Sequence, residues 1–186
     1  MKKSILLSVA AALFISAASI AQSGTKLVST KTQIKFFSST PAEDIEAYNT
    51  ASVSTIDKSS GEVVFSVPMQ GFEFDKRLMQ KHYNSDKFLD TKAFPEAKLK
   101  AKITNIDEVD FSKDGSYKAT VKGDLTIKGE TNAITESGTI TVKGNVVKVE
   151  SKFNVTLADY GIVFKKGKPA SNIAKTVEVT VQAEYQ

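Results

Sequence analysis

The chain has no cysteine and no tryptophan, one histidine and four prolines in 186 residues. Without cysteine there can be no disulfide framework, no thiolate zinc site and no lipoprotein anchor on a cysteine, so the fold must rest on its core and on strand pairing. A lone histidine, His82, cannot build the usual histidine metal sites. Neither a His-Glu-x-x-His nor a Gly-x-Ser-x-Gly pattern occurs, and His82 has Asp86 four residues on but no placed nucleophile. The expectation is therefore a protein with no catalytic residues and no metal. Strong charge of one sign is also missing: the formal net charge is only +4, which gives no ground for a nucleic-acid partner.

The one long apolar run is N-terminal. Lys2 and Lys3 precede an uncharged stretch from Ile5 to about Ala18, and Ser19-Ile20-Ala21 places small residues where a signal peptidase cuts. Residues 1–21 are expected to be a signal peptide. The mature chain, 22–186, is then a single periplasmic or secreted domain. Removing the leader takes Lys2 and Lys3 with it and halves the formal charge of +4.

From Thr25 onward, β-branched and aromatic residues alternate with polar ones. Val63, Phe65, Val67 and Met69 share a face, as do Leu99, Ala101 and Ile103 against Lys98, Lys100 and Lys102. The same alternation runs through Tyr117–Val121, Val147–Val155 and Val177–Val181, one apolar and one wet face per strand, as in an antiparallel sheet solvated on one side. Ser60-Gly61, Asp114-Gly115, Ser137-Gly138 and Gly144-Asn145 read as turns, with Asp107–Phe111 as the strand before Asp114. Pro68 should interrupt its strand. Seven to nine such strands favour closure into an all-β barrel, which removes exposed edges, with a two-sheet sandwich as the alternative.

One segment breaks the alternation. From Gly71 to Pro95 the pattern is helical, with Asp75 as candidate N-cap and Leu78, Met79 and His82 sharing a face. Phe72, Phe74, Phe88, Leu89 and Phe94 flank it. Such an island either plugs one barrel end or walls an apolar cavity. A second feature, the basic loop Lys165, Lys166 and Lys168, reads as a solvated turn with some attraction for an anionic surface.

Three pieces in order resemble the YceI-like family: Phe72-Glu-Phe through Leu78-Met79, His82-Tyr83-Asn84 and Phe94-Pro95; Gly123-Asp-Leu-Thr-Ile-Lys-Gly129; and Phe153 with Asp159-Tyr160-Gly161-Ile162 before Val177–Val181. The resemblance covers Val28 to Tyr185. It implies an eight-stranded antiparallel, lipocalin-like β-barrel with a short helical insert at one end and an amphiphile in an elongated apolar tunnel. The Gly-x-Trp mark of true lipocalins is absent, so that likeness is architectural.

The function expected on this basis is a binding protein for carriage or sequestration of a polyisoprenoid, quinone-like or fatty-acyl lipid, with no cofactor and no turnover. Phe65, Phe72, Phe74, Leu78, Phe88, Leu99, Ile127 and Phe153 are the candidate lipid-binding lining. His82 and Arg77 are the candidates for the head group. A solid-barrel interaction or stress-response protein without a ligand is the rival reading. Transient contact with a membrane surface and a homodimer are left open by the sequence.

Overall fold

The computed structural model describes residues 25–164 and 167–186. The expected signal peptide and two lysines of the basic loop, Lys165 and Lys166, lie outside the described residues. Among the described residues, the strands are β1 (Lys26–Ser39), β2 (Asp44–Asn49), β3 (Val53–Asp57), β4 (Glu62–Pro68), β5 (Phe72–Glu73), β6 (Glu96–Ile103), β7 (Gly115–Ile127), β8 (Glu130–Lys143), β9 (Val146–Thr156) and β10 (Thr176–Tyr185). Helices α1 (Arg77–Asn84) and α2 (Lys168–Asn172) fall between them.

Every pairing is antiparallel, and β10 returns to β1. Eight strands, β1, β3, β4 and β6 to β10, close the barrel. The two short ones extend it towards one end. β2 pairs with β1 in the register β3 already uses, from Lys26↔Asp57 through Ser39↔Asp44, so β2 and β3 are one strand path interrupted at residues 50–52. β5 follows β4 past the break at Pro68, with its register moved by about two residues across the turn at Met69–Gly71. Asn49 holds both breaks: its Nδ2 donates to Pro68 O at 2.8 Å, and its Oδ1 accepts from Ala51 N at 3.0 Å and Ser52 Oγ at 2.8 Å.

Alternation sends the apolar faces inward, where Ile34, Ile56, Phe65, Ile103, Ile140 and Tyr185 are buried. At the end opposite the helices, the segment from Thr104 to Asp114 folds under the barrel with Val109 buried. Asp107–Phe111 is accordingly not a strand. It forms a 3-10 turn at Ile106–Glu108 and a turn beyond, because its one buried anchor leaves no alternating face to pair.

The tight turns sit where φ > 0 is available. Gly144-Asn145 joins β8 to β9 as a two-residue hairpin. Ser137-Gly138, in contrast, is the middle of β8 rather than a turn. Glycine is needed there because a Cβ would lie 2.8 Å from Glu150 O of the neighbouring strand. The β7–β8 hairpin is Lys128-Gly129, with φ of 52° and 82°, the pair of positive values that suits a tight hairpin. At the other end of the Gly123–Gly129 motif, a Cβ on Gly123 would come within 2.2 Å of Lys100 O, so β6 and β7 can cross this closely only at glycine.

Candidate functional site

The barrel is hollow. A cavity of ≈ 740 Å³ runs from a floor that includes Ile56, Ile103 and Ile140 to the helical end, where Leu78, Lys76 and Lys168 border its mouth. That volume lies within the range of about 300–1,000 Å³ common for small-molecule sites. Below the floor, Val142, Val147, Ala183 and Tyr185 are packed solid.

The lid is built on Tyr83, the only fully buried side chain of α1. Its ring meets Phe74 at 5.0 Å, Phe72 at 5.7 Å, Phe88 at 5.9 Å and Phe36 at 6.0 Å. Phe88 continues the cluster to Phe164 at 4.9 Å. The Phe36 ring is stacked at 15° to Tyr83 and the other contacts are tilted, at centroid distances usual for paired aromatic rings. Burial pushes the Tyr83 phenol well above its ordinary range.

Polar ties hold the lid down. The Gln80 carboxamide donates to Phe72 O at 2.6 Å and accepts from Phe74 N at 3.2 Å. Lys128 Nζ, from the β7–β8 hairpin, donates to Phe88 O at 2.7 Å. Glu43 joins the two helical segments: it takes an ion pair from Lys76 at 3.0 Å and a hydrogen bond from Asn172 Nδ2 at 3.0 Å. Those two donors hold the Glu43 carboxyl below its usual range.

Phe65, Phe72, Phe74, Leu78, Phe88, Leu99, Ile127 and Phe153 all border the cavity. Leu78 does so from the mouth and is 63% exposed. His82 is exposed at the rim. Arg77 is exposed and forms no part of the wall. The helix begins one residue later than expected: its N-cap is Lys76, with no side-chain cap, and Asp75 precedes it. Its inner face is Tyr83 with Met79 half-buried, not Leu78 with His82, since the Gln80 ties rotate the exposed pair outward.

Ala119 and Ser151 border the cavity as small residues, whereas Ala101 packs against Gly123 and opens no space. The sequence reading missed Phe36, Tyr83 and Phe164 in the lid and Glu136 on the inner wall. Phe36 could have been found from its alternation with Ile34. Phe164 follows no strand pattern, and only the folded chain brings it to Phe88. No group of three or more His, Asp or Glu side chains able to hold a metal occurs among the described residues.

A closed antiparallel barrel of eight strands, hollow along its axis and lidded by a helical insert, is of the lipocalin-like class. Within that class the chain belongs to the YceI-like family, whose domain pattern matches residues 18–185. Solved structures share the fold. BcnA of Burkholderia cenocepacia superposes with a TM-score of 0.68 at 15% identity, covering 83% of this chain and 96% of BcnA. A polyisoprenoid-binding domain from Saccharophagus degradans, implicated in plant cell wall breakdown, gives 0.73 at 13% identity, over 87% of this chain and 98% of that domain. The YceI protein of Campylobacter jejuni gives 0.55 at 15% identity, over 73% and 80%. A search of the curated proteins finds no match.

Proposed function

We propose that this protein holds one long-chain amphiphile, an isoprenoid, quinone-like or fatty-acyl lipid, in its barrel and carries or sequesters it without chemical turnover. The observation that carries the reading is the ≈ 740 Å³ apolar cavity behind an aromatic lid, in a chain whose fold relatives include a polyisoprenoid-binding domain. Each buried CH₂ of a ligand contributes about 0.8 kcal/mol, so affinity would grow with chain length. An interior with this much space argues against the solid-barrel alternative.

The signal-like sequence pattern of residues 1–21 fits export to the periplasm or beyond. The rim fits brief contact with an anionic membrane surface during loading. Leu78 and Val163 are 63% and 58% exposed, and Lys76, Arg77, Lys81 and Lys87 lie on or beside α1. One or two exposed apolar side chains beside basic ones give weak, reversible attraction of this kind.

The test is mass spectrometry of organic extracts from protein purified without detergent, combined with displacement of an apolar fluorescent probe. A stoichiometric lipid, or probe displacement that strengthens with chain length, is the expected result. No extracted lipid and no probe binding would overturn the reading.

A further inference from the structure

The barrel wall has an open seam. β8 and β9 are paired only from Gly138↔Ser151 to Lys143↔Val146. Beyond that point β8 stays paired with β7 as far as Glu130, and β9 with β10 as far as Thr156. The edges Glu130–Ser137 and Lys152–Thr156 therefore face each other without a ladder, from mid-wall to the lid end. Side chains bridge the seam only at its two ends, where Ser151 Oγ donates to Ser137 O at 2.8 Å and Asn132 Nδ2 donates to Asp159 O at 2.7 Å.

Glu136 is the first inward position on this seam. It lies opposite Val121 in the ladder and borders the cavity with Ile134, Ser151 and Phe153. Among the described residues its carboxyl has no ion pair and no hydrogen bond. β7 turns Ala119, Val121 and Gly123 inward beside it, and β9 turns Ser151, Phe153 and Val155, so neither neighbour offers a charge. The other acidic and basic side chains bordering the cavity, Glu43, Lys76, His82, Lys87, Lys98 and Lys168, belong to the lid end. Burial in this apolar wall raises its proton affinity above that of an ordinary glutamate.

Glu136 is half-buried, and a carboxyl bordering an apolar cavity with no protein partner is open to a polar group of whatever fills that cavity. We propose that Glu136 is a polar subsite inside the cavity, which receives the hydroxyl or ammonium of a long-chain alcohol, phenol or amine and disfavours amphiphiles with an anionic head. This rests on the lipid-cavity reading above and adds the class of head group to it. The chemistry is direct: a carboxylate accepts from O–H or N⁺–H, and a protonated carboxyl can donate to a hydroxyl oxygen. A second carboxylate or a phosphate beside it meets like-charge repulsion in a low-dielectric site.

The experiment measures displacement of an apolar dye from the full mature protein, stripped of lipid, by farnesol, farnesylamine and farnesoic acid at neutral pH. Wild type should bind the alcohol and the amine about tenfold better than the acid, the scale of one charge-assisted hydrogen bond. Glu136→Leu should bring all three to within about threefold, and the isosteric Glu136→Gln should keep alcohol binding but lose the advantage of the amine. The same order in wild type and both variants would overturn the proposal and mean that the carboxyl is satisfied by water through the seam. If no farnesyl probe displaces the dye from any variant, the lipid-cavity reading falls with it.

Discussion

The two ends of the barrel are made from the same strands yet held in different ways. At the closed end, Tyr185 is 0% exposed and Ile103, Ile140 and Val142 are each 2% exposed. Ser54 Oγ and the Tyr185 hydroxyl share a buried hydrogen bond of 2.7 Å within this packing. At the lid end, rings touch one another but border empty space on their inner side, and the segment is kept down by a few polar ties from Gln80, Lys128 and Glu43. Dense packing resists local opening, whereas a segment resting on a few partly exposed hydrogen bonds can open without unfolding the rest. The fold thus concentrates dense packing at one end and leaves the other held by a few polar ties.

The sharpest way to break this contrast is to remove the anchor of the closed end. Tyr185→Ala deletes a side chain with no room to collapse around, and should cost about 3–5 kcal/mol in chemical denaturation. Tyr83→Ala at the lid should cost less, since its partners can relax into the cavity, but should weaken dye binding more. Equal stability losses for the two would mean that the lid is as rigid as the floor.

Alkaline pH probes the same anchor without mutation. Burial holds the Tyr185 phenol up at about 12, against an ordinary 10.0, while the Ser54 hydroxyl offsets a little of that rise. In the folded state the group keeps its proton, whereas in the unfolded chain it ionises near 10. Its contribution is therefore fully present below pH 10 and is lost as pH rises towards 12, to a total of roughly 3 kcal/mol. Denaturation midpoints should fall across that window, and Tyr185→Phe should flatten the fall. An unchanged slope in Tyr185→Phe would assign the alkaline loss to other groups.

The barrel strands were more legible in the sequence than the lid or the segment that closes the floor. Period-two alternation marks Val63–Val67, Leu99–Ile103 and Val177–Val181, because each strand has one wet and one dry side and nothing else competes. Gly144-Asn145 was visible as a hairpin for the same local reason. Ser137-Gly138 misled because the role of Gly138 is close approach to Glu150 O, a contact between strands that leaves no local trace. The lid was visible as a helix among aromatics, but its inner face was not. Gln80 fixes that face through bonds to Phe72 and Phe74, so rotation of α1 depends on a tie outside the helical period. Glu136 was hidden by its own alternation: an acidic residue in a strand is ordinarily on the wet side, and only the register of β8 turns it inward.

The smallest expected effect separates exchange from stability most cleanly. Gln80→Ala removes both carboxamide ties between α1 and the Phe72–Phe74 segment while leaving every ring of the aromatic cluster in place. Two part-buried hydrogen bonds to neutral backbone groups, partly replaced by water, are together worth about 1 kcal/mol. That loss falls on local opening of the lid, so the global denaturation midpoint should hardly move. Amide exchange in α1 and the dissociation rate of a bound apolar dye should each rise about fivefold, the factor that corresponds to this energy. A variant that loses global stability without faster dye release would place Gln80 in the common core and erase the distinction between the two ends. Faster release at unchanged midpoint would locate the path of exchange at α1, beside the mouth bordered by Leu78 and Lys76.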